Sequence, residues 1–182
     1  MIRAFISVNL TPEIEEKIGE AERDFDIKGI KLVDPSLIHV TLKFLGNIDE
    51  GRVDEIETAL KKVSVKPFHA EFRSLGGFPN ARSPRVIWIG AEGYFLELNQ
   101  EVESLLEGLG FEREGRFSPH VTIGRVKFPS PEQKQKLPGL FEKYESFEAG
   151  GMQVDSIYLM KSTLSPRGPR YDVLKEIKLV SG

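Results

Sequence analysis

The sequence of 182 residues contains no cysteine. It can therefore form no disulfide, supply no thiolate nucleophile and bind no metal through sulfur. It also lacks an apolar run long enough to span a bilayer, and its first residues lack the charged, apolar and cleavage regions of a signal peptide. We therefore expect a soluble cytoplasmic protein with no membrane partner.

Net charge is also small, at −3. This value argues against a large nonspecific nucleic-acid footprint, although it leaves a local basic pocket possible. Asparagine and glutamine are scarce, whereas glutamate and lysine are plentiful, and this bias favours a thermophilic source.

Histidine is scarce, with three in the chain, yet two of them open the same four-residue pattern. The pattern reads His-Val-Thr-hydrophobic at residues 39–42 and again at residues 120–123. In a β-strand, residues i and i+2 point to the same face, so each histidine would project together with its threonine. The alternative is that both are half-buried core histidines on ordinary strands. The third histidine, His69, alternates as an exposed residue of a strand over 67–75.

The order of the predicted elements repeats along the chain. A strand, a helix, a motif strand, a helix and a strand occur twice, and the two motif histidines lie 81 residues apart. We predict strands at 2–10, 37–45, 67–75, 86–89, 119–128 and 171–180 with one or two more in 147–161, and helices at 12–25, 50–64, 95–109 and 131–144.

This duplication predicts an α+β fold of two similar lobes related by an approximate two-fold axis. Lobe one covers about 1–78 and lobe two about 84–163 within a single bilobal domain over 1–182, and the lobe of the C-terminal strand, 170–180, stays open. Such an arrangement would place the two motif strands side by side across a cleft. We expect a monomer.

Two imidazoles that face one atom across a cleft suit acid–base catalysis. A neutral imidazole takes a proton from a nucleophile while a protonated one gives a proton to a leaving group, and both states are accessible near neutral pH. Attack on one side and departure on the other describe in-line displacement at phosphorus. Thr41 and Thr122 would donate hydrogen bonds to the phosphate oxygens. We expect no metal and no other cofactor, because two histidines without a third or fourth ligand at a recognisable spacing fall short of a zinc site.

Three further residues are candidates for substrate contacts. Lys43 has the same strand parity as His39 and Thr41, which would direct it into the cleft. Phe5 lies on the non-core face of the first strand and is our first candidate for stacking on a nucleobase. Trp88 is the second candidate, with ordinary sheet packing as its alternative role.

The doubled motif resembles the 2H phosphoesterase superfamily, and within it the RNA 2′,3′-cyclic phosphodiesterase group, formerly called bacterial and archaeal 2′-5′ RNA ligases. The resemblance extends over essentially the whole chain. The stretches that carry it are RAFISV at 3–8, HVTLKFLG at 39–46 and HVTIGR at 120–125. It implies two antiparallel sheets that line a central cleft, with helices outside.

The same resemblance implies an activity, namely metal-independent hydrolysis of a terminal 2′,3′-cyclic phosphate on RNA to a 2′-phosphate. His39 would then be the proton donor and His120 the proton acceptor, although the residues alone leave that assignment open. Thr41, Thr122 and Arg125 would contact the phosphate. Arg125 has the wrong parity relative to His120 unless a bulge at Gly124 turns it inward. Cyclic nucleotides and tRNA fragments are further possible substrates.

Two other functions stay open at this point. A 2′-5′ RNA ligase would use the same histidines, with an RNA 5′-hydroxyl in place of water. A nucleotide- or RNA-binding module would use the cleft without catalysis, although both histidines and both threonines are intact here.

Overall fold

The computed structural model describes residues 1–180 and shows an α+β fold. The predicted order of strands and helices is confirmed, with a short additional strand, β2, and with two separate strands in the region 147–161. The strands are β1 (Ile2–Asn9), β2 (Ile30–Leu32), β3 (His39–Ile48), β4 (Phe68–Phe78), β5 (Val86–Glu92), β6 (His120–Val126), β7 (Glu148–Val154), β8 (Ser156–Ser165) and β9 (Gly168–Lys178). The helices are α1 (Pro12–Glu22), α2 (Val53–Leu60), α3 (Phe95–Glu107) and α4 (Pro131–Lys143), with 3₁₀ turns at Arg23–Phe25, Pro35–Leu37 and Glu50–Arg52.

Helix α1 illustrates how the sequence sets the ends and faces of the helices. Thr11 precedes it in extended conformation and Pro12 occupies its first turn, where the missing N–H costs nothing. Ile14 and Ile18 lie one turn apart and are both buried, so this helix covers one face of the sheet.

All strands pair antiparallel in one sheet. Along its path the order is β7-β4-β5-β6-β3-β1-β8-β9, and β2 pairs with β6 outside this path. The central contact between β3 and β6 consists of one residue pair, Val40 with Val121. The two predicted sheets are thus the two halves of a single sheet that meet at the motif strands.

The sheet halves differ from the predicted lobe boundaries. Strand β4 pairs with β5 and β7, so it lies in the half that contains the second motif rather than the first. Strand β8 pairs with β1, and β9 pairs with β8, so both lie in the half of the first motif. The segment 79–85 is short enough for β4 and β5 to form a hairpin, and consecutive strands usually pair when their connection is short.

The strand registers confirm the internal duplication. Val8 lies opposite Val40 in the first half, and Ile89 lies opposite Val121 in the second. Both partners of the second pair follow those of the first by 81 residues. The repeat that the motif spacing predicts therefore extends to the pairing of the neighbouring strands.

Candidate active site

The two motif histidines line one cleft of about 730 Å³. His39 begins β3 and His120 begins β6, and each precedes one member of the Val40–Val121 pair. Thr41 and Thr122 line the same cleft. The sheet therefore brings both copies of the motif to one site.

His39 is held at both ring nitrogens. Its Nδ1 lies 2.8 Å from the carbonyl oxygen of Leu37, and its Nε2 lies 2.9 Å from Oγ1 of Thr41. Because a carbonyl oxygen accepts and cannot donate, Nδ1 carries a proton. The acid–base atom of His39 is therefore Nε2.

His120 has the same backbone anchor. Its Nδ1 donates to the carbonyl oxygen of Ser118 over 2.7 Å, again two residues earlier in the chain. Its Nε2 makes no hydrogen bond within residues 1–180, whereas the Nε2 of His39 has Thr41 as a partner. The two imidazoles thus share a tautomer and differ in whether Nε2 is already engaged.

Both imidazoles favour the neutral state in the free protein. Burial lowers the pKa of His39, and the positive charges of Arg125 and His120 lower it further, against the opposing effect of the Leu37 carbonyl. Burial also lowers the pKa of His120, and Arg125 adds to this, against the effect of the Ser118 carbonyl. A bound phosphate would counter these effects by supplying negative charge.

Aromatic rings surround His39. Phe5 stacks on its imidazole, with ring centroids 4.9 Å apart and planes at 25°. Tyr171 meets the same imidazole edge-on at 5.4 Å. On the other side of the site, Phe78 meets His120 edge-on at 5.1 Å.

Phe5 lines the cleft, and its stacking on a nucleobase stays a prediction. The residue is 4% exposed, and its ring already packs on His39 and on Tyr171. Trp88 does not line the cleft and packs on Phe78, which is the sheet-packing role given above as its alternative.

A bulge in β3 determines where Lys43 points. Ser7 lies opposite Thr41, and the next residue of β1, Ile6, lies opposite Lys43. Leu42 is therefore the extra residue, and the alternation of faces shifts by one after it. Leu42 and Lys43 are both buried as a result.

The prediction that Lys43 contacts phosphate from the cleft is consequently wrong. Its side chain is 1% exposed and does not line the cleft. Its Nζ donates to both carboxylate oxygens of Glu103, over 3.1 and 3.0 Å, and to the carbonyl oxygen of Glu112 over 2.7 Å. Lys43 thus ties β3 to α3 and to the segment that leads to His120.

The second motif strand has the same kind of bulge. There the shift of faces directs a basic residue into the cleft, whereas in the first motif strand it directs Lys43 out of the cleft. Trp88 lies opposite Thr122, and Ile87 lies opposite Gly124, which leaves Ile123 as the extra residue. This is the bulge on which the assignment of Arg125 depends, and Arg125 does line the cleft.

Sequence reasoning misses several residues of the cleft. Tyr171 belongs to β9, which pairs with β8 and thereby reaches the first motif from the far end of the chain. Lys31 lies on β2, a strand that the sequence does not predict. Lys127 is the residue directly after β6. No local pattern indicates them, because their position depends on long-range strand pairing.

The described part of the chain offers neither a metal-binding cluster nor a membrane-spanning helix. Residues 1–180 contain no group of three or more His, Cys, Asp or Glu side chains arranged to hold a metal ion. No helix in that range combines the length and apolar character needed to cross a bilayer.

Comparison with known proteins gives consistent results. The model of the LigT like phosphoesterase family matches residues 8–88 and 90–171. An RNA 2′,3′-cyclic phosphodiesterase of Methanocaldococcus jannaschii is 40% identical over 176 residues, which cover 96% of this chain and 99% of that protein. A protein of the same name from Archaeoglobus fulgidus is 38% identical over 177 residues, covering 96% of this chain and 98% of that protein.

Solved structures show the same architecture. A crystal structure from Thermus thermophilus has a TM-score of 0.83 at 30% identity and covers 98% of both chains. The structure of E. coli LigT complexed with 3′-AMP has a TM-score of 0.79 at 22% identity and covers 99% of both chains, which establishes the shared fold.

Proposed function

The chain belongs to the LigT like phosphoesterase family, and on this basis we propose that it hydrolyses the terminal 2′,3′-cyclic phosphate of an RNA to a 2′-phosphomonoester. The observation that carries the proposal is the pair of Nε2 atoms in one cleft, each fixed by a carbonyl at its Nδ1. The names of the relatives, RNA 2′,3′-cyclic phosphodiesterase, support the same reaction. They favour neither the ligase nor the non-catalytic binding module.

The reaction needs one proton acceptor and one proton donor. His120 Nε2 accepts a proton from water as the water oxygen bonds to phosphorus. The bond from phosphorus to the 3′ oxygen breaks, and protonated His39 Nε2 gives its proton to that oxygen. The free Nε2 of His120 supports its role as acceptor, and the family resemblance supports His39 as donor.

The remaining cleft residues would bind the phosphate. The hydroxyls of Thr41 and Thr122 lie beside the histidines and would donate to the non-bridging oxygens. Arg125 adds a guanidinium, which would stabilise the negative charge that develops on these oxygens. The two imidazoles supply both proton transfers, so the proposed reaction needs no metal ion.

The test uses an RNA oligonucleotide that ends in a 2′,3′-cyclic phosphate, incubated with the protein and EDTA. We expect a 2′-phosphomonoester, identified by chromatography against 2′- and 3′-phosphate standards. Replacing His39 or His120 with Ala should lower the rate by about 10²–10⁴-fold, the usual contribution of one general acid or base. The matched control is His69→Ala, because His69 is exposed on β4 and contacts Glu71 outside the cleft. Binding without turnover by the unmodified protein would contradict the proposal, as would loss of activity on adding EDTA.

A further inference from the structure

The cleft is strongly basic in a protein whose net charge is −3. Five cationic side chains line it against one carboxylate, that of Asp34. Within residues 1–180, none of the five forms an ion pair or donates a side-chain hydrogen bond. The five are Arg3, Lys31, Arg125, Lys127 and Arg167.

This excess of positive charge is larger than the reacting group requires. A cyclic phosphodiester carries a single negative charge, and Arg125 with the two histidines is sufficient to neutralise it. Unpaired cations on a concave surface raise the local concentration of anions. The other four cations therefore indicate that further phosphates of the substrate enter the cleft.

The four fall into two groups, one beside each motif strand. Lys31 lies on β2 opposite Arg125, and Lys127 follows β6, so these two flank the second motif. Arg3 lies on β1, and Arg167 lies in the turn between β8 and β9, so these two flank the first motif. The geometry of the reaction decides which of these two groups faces the rest of the RNA chain.

In-line displacement places the attacking water and the leaving 3′ oxygen on opposite sides of phosphorus. The 3′ oxygen remains bonded to the ribose, so the nucleoside lies on the side of the proton donor. With His39 as donor, the nucleoside and the chain that precedes it extend along the half of the sheet that contains the first motif.

Tyr171 connects His39 to the cations of this half. Its ring meets the His39 imidazole at 5.4 Å. It lies opposite Ser162, which in turn lies opposite Arg3, so the three residues form a row across β9, β8 and β1. Its hydroxyl makes no hydrogen bond within residues 1–180 and, because burial raises the pKa of Tyr171, stays protonated as a donor.

We propose that Arg3, Arg167 and the Tyr171 hydroxyl form a second phosphate subsite, which binds the internucleotide phosphate immediately 5′ of the terminal nucleotide. This inference rests on the proposed function and specifies its substrate as a chain of at least two nucleotides. A nucleoside 2′,3′-cyclic phosphate would occupy the catalytic centre and leave this subsite empty.

The test compares three substrates with the same terminal base. They are a dinucleotide with a 2′,3′-cyclic phosphate end, the same dinucleotide with an uncharged methylphosphonate linkage, and the mononucleoside 2′,3′-cyclic phosphate. We expect the KM of the natural dinucleotide to be about tenfold lower than that of the other two, which is the usual effect of one charged hydrogen bond. We expect kcat to be similar for all three, because the subsite does not touch the reacting atoms.

Variants assign this effect to residues. Arg3→Gln and Arg167→Gln, both at exposed positions, should raise the KM of the natural dinucleotide and leave the other two substrates unchanged. Tyr171→Phe should act in the same direction more weakly, since it keeps the ring against His39. The plot of log(kcat/KM) against log[salt] has a negative slope. This slope should become shallower by about 0.7 for each cation that no longer neutralises a phosphate of the single strand.

Lys31→Gln and Lys127→Gln provide the matched control, since they remove equal charge from the other flank of the cleft. Equal KM values for the natural and methylphosphonate dinucleotides would overturn the subsite and leave the proposed hydrolysis intact. A KM difference between the natural and methylphosphonate dinucleotides that disappears in the Lys31 or Lys127 variants would also overturn the subsite, and would place the nucleoside on the side of His120. Absence of turnover with all three substrates would instead overturn the proposed function and this inference with it.

Discussion

The ring of Phe5 stacks on the imidazole of His39, with centroids 4.9 Å apart and planes at 25°. Phe5 is 4% exposed, so it shields one face of His39 from water. Burial is the largest cause of the lowered pKa of His39. Phe5, a residue of β1, therefore helps to set the protonation state of the His39 imidazole.

Replacing Phe5 with Leu should raise the pKa of His39 towards its ordinary value, because water then reaches the imidazole more easily. Titration of the His39 ring by NMR measures this directly. The matched control is Phe78→Leu, which removes the aromatic contact of His120 and should move the pKa of that histidine instead. An unchanged His39 titration in the Phe5 variant would contradict the shielding role.

The pH dependence of kcat/KM should be bell-shaped, with its maximum below pH 6.5. The active form needs one neutral and one protonated imidazole, and it is most abundant between the two pKa values. Both pKa values lie below the ordinary value of 6.5 in the free protein. The rate should therefore fall as pH rises through neutrality, because the donor loses its proton. Initial rates at low substrate concentration between pH 4.5 and 8.5 test this, and a maximum above pH 6.5 would contradict it.

Replacing Arg125 with Gln should change two quantities at once. The positive charge of Arg125 lowers the pKa of both histidines, so its removal should shift the maximum of kcat/KM to higher pH. KM should increase as well, because the substrate phosphate no longer has a guanidinium to bind. A higher KM at an unchanged optimum would show that Arg125 binds substrate without affecting the imidazoles.

The sequence correctly predicts which side chains face the cleft where strand alternation alone determines this. The prediction fails where a bulge relative to the paired strand changes the alternation. His39 and Thr41 share a face because of strand alternation alone. Lys43, two residues further on, does not follow, because Leu42 is an extra residue relative to β1. The corresponding bulge, in which Ile123 is the extra residue, is predictable from the adjacent Gly124 because glycine is common at bulges, whereas no glycine lies beside Leu42 in the first motif strand.

The two lobes show the same limit at a larger scale. The 81-residue repeat is present in the sequence, and it appears again in the strand registers. The sequence repeat does not indicate that β4 pairs with β5 in the second-motif half, or that β8 pairs with β1 in the first-motif half. Tyr171 reaches the site only because β9 pairs with β8, and local patterns therefore cannot reveal it.

Replacing Lys43 with Met should destabilise the protein by about 3–5 kcal/mol, because it leaves the carboxylate of Glu103 buried without its cationic partner, with the backbone N–H of Glu114 as its remaining donor. Glu103 is 4% exposed and accepts from Lys43 over 3.0 and 3.1 Å. The double variant Lys43→Met/Glu103→Gln should recover much of the loss, since no buried charge remains. Urea unfolding of the single and double variants measures the coupling. A Lys43 variant with normal stability and a higher KM would instead indicate the phosphate contact that strand parity predicts.

Replacing Glu22 with Gln should stabilise the protein at pH 8 and have little effect near pH 4.5. Glu22 is 5% exposed, and its Oε2 has no hydrogen-bond partner within residues 1–180. Burial and the charge of Asp34 together raise its pKa from 4.5 to about 8. Between these two values the unfolded chain releases the proton of Glu22 while the folded protein retains it, so stability decreases as pH rises through this interval.

The expected gain at pH 8 is a few kcal/mol, because each pKa unit corresponds to about 1.4 kcal/mol. Glutamine resembles the protonated carboxyl and cannot ionise, so the variant should lose this pH dependence. Thermal unfolding at pH 4.5, 6 and 8 provides the measurement. Glu20→Gln, at an exposed position of the same helix, is the matched control and should leave the pH dependence of the melting temperature unchanged. Equal melting temperatures for the Glu22 variant and the unmodified protein at pH 8 would show that the folded protein accommodates the ionised carboxylate without cost.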